Sequence, residues 1–341
     1  MAKFKVIVAG CGGMADTWMN YIIKRPDTQI VGLCDIIIEK ANTFVKRYNL
    51  PEATPAFDDI RKALATCSDA NLVIDCTTPD AHELIATTAM MAGADVLGEK
   101  PMAETREQAL NEIAVSDSTG RSYAVMQNRI YLSGMRTIRK AVGSNVIGRL
   151  GSVSSDFFIG AHFGGFRDLM DNVLILDMAV HTFYQARFLI GANPISVYCQ
   201  EFNPAGSWYK GNASAIAIFE FENGVVYDYR GSWCSEGFNT TWECDWRLIG
   251  DQGTIKWDGG SNLRAQIKRE NESGFFIPFD EHELDFIETG KNQGHEGCFD
   301  EMFAALIENR PAETDCRTNY HAMNMVYGAI ESAGTGRKIM L

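Results

Sequence analysis

One motif constrains this chain more than any other. Gly10-Cys11-Gly12-Gly13-Met14-Ala15 follows the apolar run 4–9 directly and opens a helical stretch, 14–24. A strand that turns through glycines into a helix leaves the helix's first N–H groups without intrahelical acceptors, and the helix dipole favours an anion there. The spacing fits G-x-G-x-x-G/A, with Ala15 in the last place. Gly10 permits the tight turn, Gly12 lets backbone N–H groups approach a pyrophosphate, and the small Ala15 lets helix pack on strand. Glycine is common here, 31 residues in 341, so a glycine turn without a nucleotide is the competing reading. The position between strand and helix, at the start of a βαβ unit, favours the nucleotide. Asp35 ends the next apolar run. A carboxylate there accepts from ribose hydroxyls and repels a 2′-phosphate. Ile36-Ile37-Ile38 supply no arginine or serine to hold one, so the residues favour NAD over NADP.

The rest of the chain has two textures. Up to residue 127, apolar runs at 4–9, 30–34, 72–76, 95–98 and 123–127 alternate with helical stretches at 14–24, 39–48, 58–65, 81–92 and 106–119. Thr105-Arg106-Glu107-Gln108 fits a capping box that starts the last of these. Strands apolar throughout and alternating with helices predict a parallel sheet covered on both faces. From 128 onward, helices are expected at 135–142, 174–189, 296–309 and 318–335. Strands are expected at 151–159, 213–221, 225–233, 247–249 and 254–257, with Asn223-Gly224 as a hairpin turn. The expected fold is therefore α/β: a doubly wound N-terminal domain, 1–127, and an α+β domain, 128–341, with a large, mainly antiparallel open sheet.

Composition narrows the function. The net charge of −13 repels a phosphate backbone, which argues against nucleic acid. No apolar run approaches the roughly 20 residues of a membrane span. The opening residues lack a signal-peptide apolar core, and the nine cysteines form no CxxC pair, so a reduced, cytoplasmic protein is expected. His82-Glu83 and His295-Glu296 lack the histidine that a zinc-protease helix needs, having Ala86 and Phe299. Asp177 and His181 have no evident third ligand, so no metal is expected. Gly290-Lys291 is followed by Asn292, so it is no phosphate-binding P-loop.

Three further motifs carry a resemblance. Thr77-Thr78-Pro79-Asp80-Ala81-His82 follows the run 72–76, Gly98-Glu99-Lys100-Pro101-Met102-Ala103 follows the next, and Asp177-Met178-Ala179-Val180-His181 lies in an expected helix. With the glycine loop they resemble the Gfo/Idh/MocA family, named for glucose–fructose oxidoreductase and inositol dehydrogenase, over nearly the whole chain. The resemblance implies a Rossmann domain joined to an open-sheet domain, with closing helices that return toward the first. It implies NAD(P)-dependent oxidation of sugars, polyols or related compounds. Lys100 would sit beside the nicotinamide and bond the reacting oxygen, His181 would exchange the proton, and Asp177 would bind substrate or orient the site. Gly13, Met14, Thr77, Pro79, His82, Glu99 and Gln127 would complete the cofactor site, and His82 borders the cofactor or caps its helix. The residue chemistry agrees, since positions four apart share a helix face and histidine titrates near neutrality.

The resemblance has gaps. Asp171-Asn172 stand where many relatives have two glycines, Tyr184 where several have an aspartate, and Ile130 where an arginine often follows the position of Arg129. The substrate therefore does not transfer. Arg129, His162, Arg167 and Asp168 are the candidate substrate contacts. His162 to Asp168 form a glycine-rich segment that could satisfy hydroxyls, or a carboxylate through Arg167, or simply hold an Arg167–Asp168 salt bridge. Trp208-Tyr209 stack on a sugar or pack a contact. Trp233, Trp242, Trp246 and Trp257 crowd the expected sheet and point to an oligomer interface, hence a homodimer or homotetramer. Two alternatives to a dehydrogenase share the fold: a non-catalytic NAD-dependent sensor, and NAD-assisted glycoside cleavage.

Overall fold

A computed structural model describes residues 2–287 and 292–341; Gly290 and Lys291 lie outside the described residues. The chain divides into two compact units, Met1–Gln127 with His295–Tyr320, and Asn128–Gly294 with His321–Leu341.

The first unit holds a six-stranded parallel sheet: β1 Phe4–Ala9, β2 Thr28–Cys34, β3 Ala56–Phe57, β4 Leu72–Asp75, β5 Asp95–Gly98 and β6 Tyr123–Val125. Their order is β3-β2-β1-β4-β5-β6. Helices α1 Gly13–Ile22, α2 Ile38–Arg47, α3 Ile60–Thr66, α4 Pro79–Met91 and α5 Arg106–Thr119 alternate with the strands, as expected for a doubly wound fold. The central strands are apolar because both faces are covered; all four residues of β4 are buried, Asp75 included. The expected capping box is present at Thr105 and Gln108. From the later chain, α8 Gly294–Glu308 lays Phe299 edge-on to Trp18 and Phe303 edge-on to Phe4.

The second unit holds a nine-stranded sheet. Its strands are β7 Leu150–Phe158, β8 Pro194–Phe202, β9 Ser214–Phe221, β10 Val226–Ser232, β11 Asp245–Gly250, β12 Gly253–Trp257, β13 Leu263–Lys268, β14 Phe279–Glu283 and β15 Ile339–Met340. The order is β14-β13-β12-β11-β7-β10-β9-β8-β15, antiparallel except for the β7–β10 pair. The expected α/β class with a large, mainly antiparallel second sheet is borne out. Sequence patterning missed β8, β13, β14 and β15. β8 starts at a proline, and β14 is exposed throughout, so neither shows a clean alternation. Asn223-Gly224 does turn the β9–β10 hairpin, with Gly224 at φ +81°.

One face of this sheet packs on α6 Ser133–Gly143, whose Gly134 lies against the Trp257 ring, and on α7 Val180–Ile190 and the turns before it; Phe183 stands edge-on to Phe219 and Tyr229. Three of the four tryptophans correct an expectation: Trp233, Trp246 and Trp257 are buried, the last two on strand positions that face the core, whereas Trp242 is exposed. The opposite face instead carries Tyr198, Ile216, Ile218, Val226 and Ile249, exposed, beside the Arg230–Asp156 ion pair.

Candidate active site

In the first unit the candidate site residues gather at the carboxyl ends of β1, β2, β4 and β5, where the strand order reverses between β1 and β4. Gly10 has φ +84°, and a Cβ there would lie 2.5 Å from the backbone carbon and oxygen of Cys76, so only glycine fits. A Cβ on Gly12 or Gly13 would meet no atom within 4 Å, so the loop faces open space. Gly12 caps α1 and no side chain accepts from the helix's first N–H groups. Ala15 is buried and Met14 half-exposed. This is the cradle an anionic pyrophosphate fits.

Asp35 is positioned by the same loop. One carboxylate oxygen accepts the Cys11 N–H at 2.9 Å and the other the Ile37 N–H at 2.8 Å. The adjoining cavity is lined by Cys11, Gly12, Gly13, Asp16, Glu39, Lys40, Thr43, Phe44 and Arg47. Arg47 is spent on Asp16. Lys40, just beyond Ile36-Ile37-Ile38, places a cation on this cavity.

Two further loops are held from below. After β4, Asp75 accepts from the Thr77 hydroxyl at 2.6 Å and faces His82 Nδ1 at 2.9 Å. His82 is fully buried and sits against Asp75, not at the surface of the loop. Burial pushes its pKa down, the Asp75 carboxylate pushes it up, and the balance is upward. Pro79 opens α4 behind this loop. After β5, Glu99 accepts the Trp18 indole N–H at 2.7 Å and the Lys100 N–H at 3.3 Å. The Lys100–Pro101 peptide is cis, and the Lys100 side chain is partly exposed. Gln127 is buried at the end of this unit.

In the second unit Asp177 lies in a π-helical turn, Leu174–Ala179, that runs into α7, where His181 is buried in the first turn. Sequence spacing led us to expect one α-helix here; such π turns inside helices are frequent at functional sites. Arg167, in the 3₁₀ turn Gly165–Leu169, donates from Nε to Asp177 at 2.5 Å. The expected alternative, an Arg167–Asp168 pair, does not form. Asp168 instead keeps one carboxylate oxygen buried with no partner among the described residues. Arg129 donates to the Trp242 carbonyl and lies 3.6 Å from Glu243, bracing the turn before β11. His162 stacks on Trp208 at 3.6 Å between ring centroids and meets Glu236 at 2.9 Å. Glu201, which accepts from Asn172 at 2.7 Å, is pushed up to about 7 by burial. Of these partners, Glu236, Glu243 and Glu201 escaped sequence reasoning; each lies far along the chain from the residue it holds. Asp75 had a signal, a charge ending an otherwise apolar strand.

No group of three or more metal-binding side chains occurs among the described residues, and no helix there is long and apolar enough to cross a membrane.

Comparison with known proteins bears on both units. The model of an oxidoreductase family with an NAD-binding Rossmann fold matches residues 4–127, and that of the GFO/IDH/MocA C-terminal domain matches residues 135–256. An uncharacterized protein of Sinorhizobium fredii is 26% identical over 98% of this chain and 95% of its own length. The D-glucoside 3-dehydrogenase of Escherichia coli is 22% identical over 66% of this chain and 69% of its own. An oxidoreductase from Agrobacterium radiobacter, solved with NAD+, L-tartaric acid and magnesium, superposes with a TM-score of 0.83 at 17% identity, covering 99% of this chain and 98% of that one.

Proposed function

The chain belongs to the Gfo/Idh/MocA oxidoreductase family, and on that premise we propose that it is an NAD-dependent dehydrogenase of sugars, polyols or related hydroxy compounds. The observation that carries the reading is the helix of the second unit. There a buried histidine follows, four residues on, a carboxylate locked by an arginine. That is the arrangement a hydroxyl proton needs when its carbon is oxidised. The D-glucoside dehydrogenase among the relatives, and the NAD+ and hydroxy acid in the Agrobacterium structure, support the same class.

NAD, when bound, supplies the hydride acceptor. Gly10, Gly12, Gly13, Met14 and Ala15 receive its pyrophosphate, and Asp35 its adenosine ribose. Thr77, Pro79, Glu99 and Gln127 shape the nicotinamide end, and His82 holds the Thr77 loop in place. Asp35 supports a preference for NAD over NADP because its carboxylate is fixed by two backbone N–H groups where a 2′-phosphate would lie. His181 takes the hydroxyl proton. Lys100 bonds the same oxygen and stabilises the charge developing on it. Asp177, pinned by Arg167, orients His181 and binds substrate; Arg129, His162 and Asp168 belong to the substrate loops. The protein works in the cytoplasm as a homodimer or homotetramer, built on the exposed apolar face of Tyr198, Ile216, Ile218, Val226 and Ile249.

The test is a screen of sugars, inositols and sugar acids for NAD reduction, read in the nicotinamide absorbance band. Net NADH with one of them is expected. Tight NAD binding without turnover would instead mark a sensor, and product without net NADH would mark glycoside cleavage.

A further inference from the structure

We propose that the substrate carries a carboxylate, and that Arg167 holds it. This rests on the dehydrogenase reading above and narrows it to hydroxy acids, sugar acids foremost.

Arg167 is fixed in place without using its recognition edge. Its Nε donates to Asp177 at 2.5 Å. Its guanidinium carbon lies 5.2 Å from the ring centre of Phe163 and 4.7 Å from that of Phe166. Among the described residues no protein acceptor meets Nη1 or Nη2. The side chain is 31% exposed, so the guanidinium is not sealed from solvent. A guanidinium held by one ion pair and two rings loses little further freedom on binding.

The chemistry of the open edge decides what it takes. Nη1 and Nη2 present parallel N–H donors in one plane, the spacing that two carboxylate oxygens accept at once. A neutral hydroxyl accepts through a single oxygen, and arginine offers nothing to accept the hydroxyl's own proton. Phe163 and Phe166, 50% and 64% exposed, flank the edge with apolar surface, which strengthens a charged contact there. Two acids oppose the idea. Asp177 lies on the Nε side, with the guanidinium between it and the ligand, and Asp168 follows in the same turn. A ligand on Nη1 and Nη2 would touch the guanidinium directly, at hydrogen-bond distance, where its Coulomb attraction is strongest.

The reaction balances with the carboxylate as a bystander. The C–H bond of a secondary alcohol breaks and its hydride reduces NAD+ to NADH. The O–H proton passes to His181 and on to solvent, and the carbon–oxygen bond becomes a carbonyl.

Matched pairs test the inference: D-gluconate against D-glucitol, D-glucuronate against D-glucose, and D-galactonate against galactitol. The acid should exceed its neutral partner in kcat/KM by about 10-fold or more in at least one pair. Raising salt should increase the KM of the acid alone. Arg167→Lys keeps the charge and loses the fork; it should narrow the acid-to-neutral ratio chiefly through KM, and Arg167→Gln should abolish it. A second readout does not need turnover. With NAD saturating, the acid should raise the thermal midpoint, its neutral partner should not, and Arg167→Gln should lose the shift. Neutral partners equal to or better than the acids, or a ratio untouched in Arg167→Lys, would overturn the inference and leave the dehydrogenase standing. An Arg167-dependent shift without NADH would overturn the dehydrogenase and keep the carboxylate site. Neither shift nor preference would sink the inference itself.

Discussion

The two sheets position chemistry in different ways. In the first unit the parallel sheet is covered on both faces, and everything useful happens where strands end. The cradle is backbone: Gly10 is squeezed against Cys76, and the uncapped start of α1 faces open space. Side chains there mostly serve as props, as Asp75 does for Thr77 and His82, and Glu99 for Trp18 and Lys100. In the second unit the sheet is a platform, and the proposed chemistry sits on a helix and turns laid over one face. There the side chains themselves are the proposed instruments, and they are held by residues far away in sequence, as Arg129 is by Trp242 and His162 by Glu236. Damage to backbone geometry should therefore cost cofactor binding in the first unit, and damage to side chains should cost turnover in the second.

The largest expected effect lies in the second unit. His181→Ala should lower kcat by roughly 10²–10⁴-fold, the usual scale of general acid–base catalysis, and leave NAD affinity within a factor of about two. A drop in NAD affinity of the same size would erase the distinction between the units.

Next comes a buried acid in the first. Glu112 on α5 is fully buried, and neither carboxylate oxygen has a partner among the described residues. Burial, with Asp75 and Glu83 adding to it, pushes its pKa up to about 10. The folded chain thus keeps a proton that the unfolded chain releases near its ordinary value. That difference costs nothing below about pH 4, and stability falls by up to about 1.4 kcal/mol per unit as pH rises toward 10. Glu112→Gln should flatten this fall, raising the thermal midpoint at pH 8 more than at pH 5. An equal change at both pH values would mean the carboxylate is not buried as described.

Gly10→Ala sharpens the comparison from the backbone side. A Cβ forced against Cys76 at positive φ should cost about 1–3 kcal/mol and weaken NAD binding. Calorimetric titration showing wild-type affinity would contradict a backbone cradle. Smaller still, Asp35→Ser should narrow the NAD-to-NADP preference by about 10-fold, comparable to one charge-assisted contact. Equal affinity for both cofactors in the unmutated protein would remove the preference, and Lys40 would then be the cation to examine.

The same contrast explains how much could be read from sequence. The glycine loop, the acid after β2 and the Thr105 capping box are local patterns in which contiguous residues fix a backbone shape. The structure has each of these local shapes. The second unit was readable as a class of fold and less so as a site. Periodicity cannot distinguish a π turn at Leu174–Ala179 from ordinary helix. Nor can it announce that Arg167 pairs with Asp177 and not with its neighbour Asp168. The aromatic residues misled for a related reason: alternation shows that Trp246 and Trp257 share a face, and only packing shows that this face is covered, at Trp257 by Gly134 of α6. Glu112 had no signal beyond its place among small residues, Ala109 and Ser116, on one helix face.

The central claim is that the second unit supplies the proton transfer for hydride chemistry carried out on a cofactor held by the first. The pH dependence of kcat/KM, measured on any substrate from the screen in the unmutated enzyme and in His181→Ala, tests it most directly. The account expects kcat/KM to rise with pH through one essential base in the unmutated enzyme, and that limb to vanish in His181→Ala while residual activity remains. A His181→Ala enzyme with near-normal turnover and the same pH limb would contradict it, and would take the histidine out of the reaction.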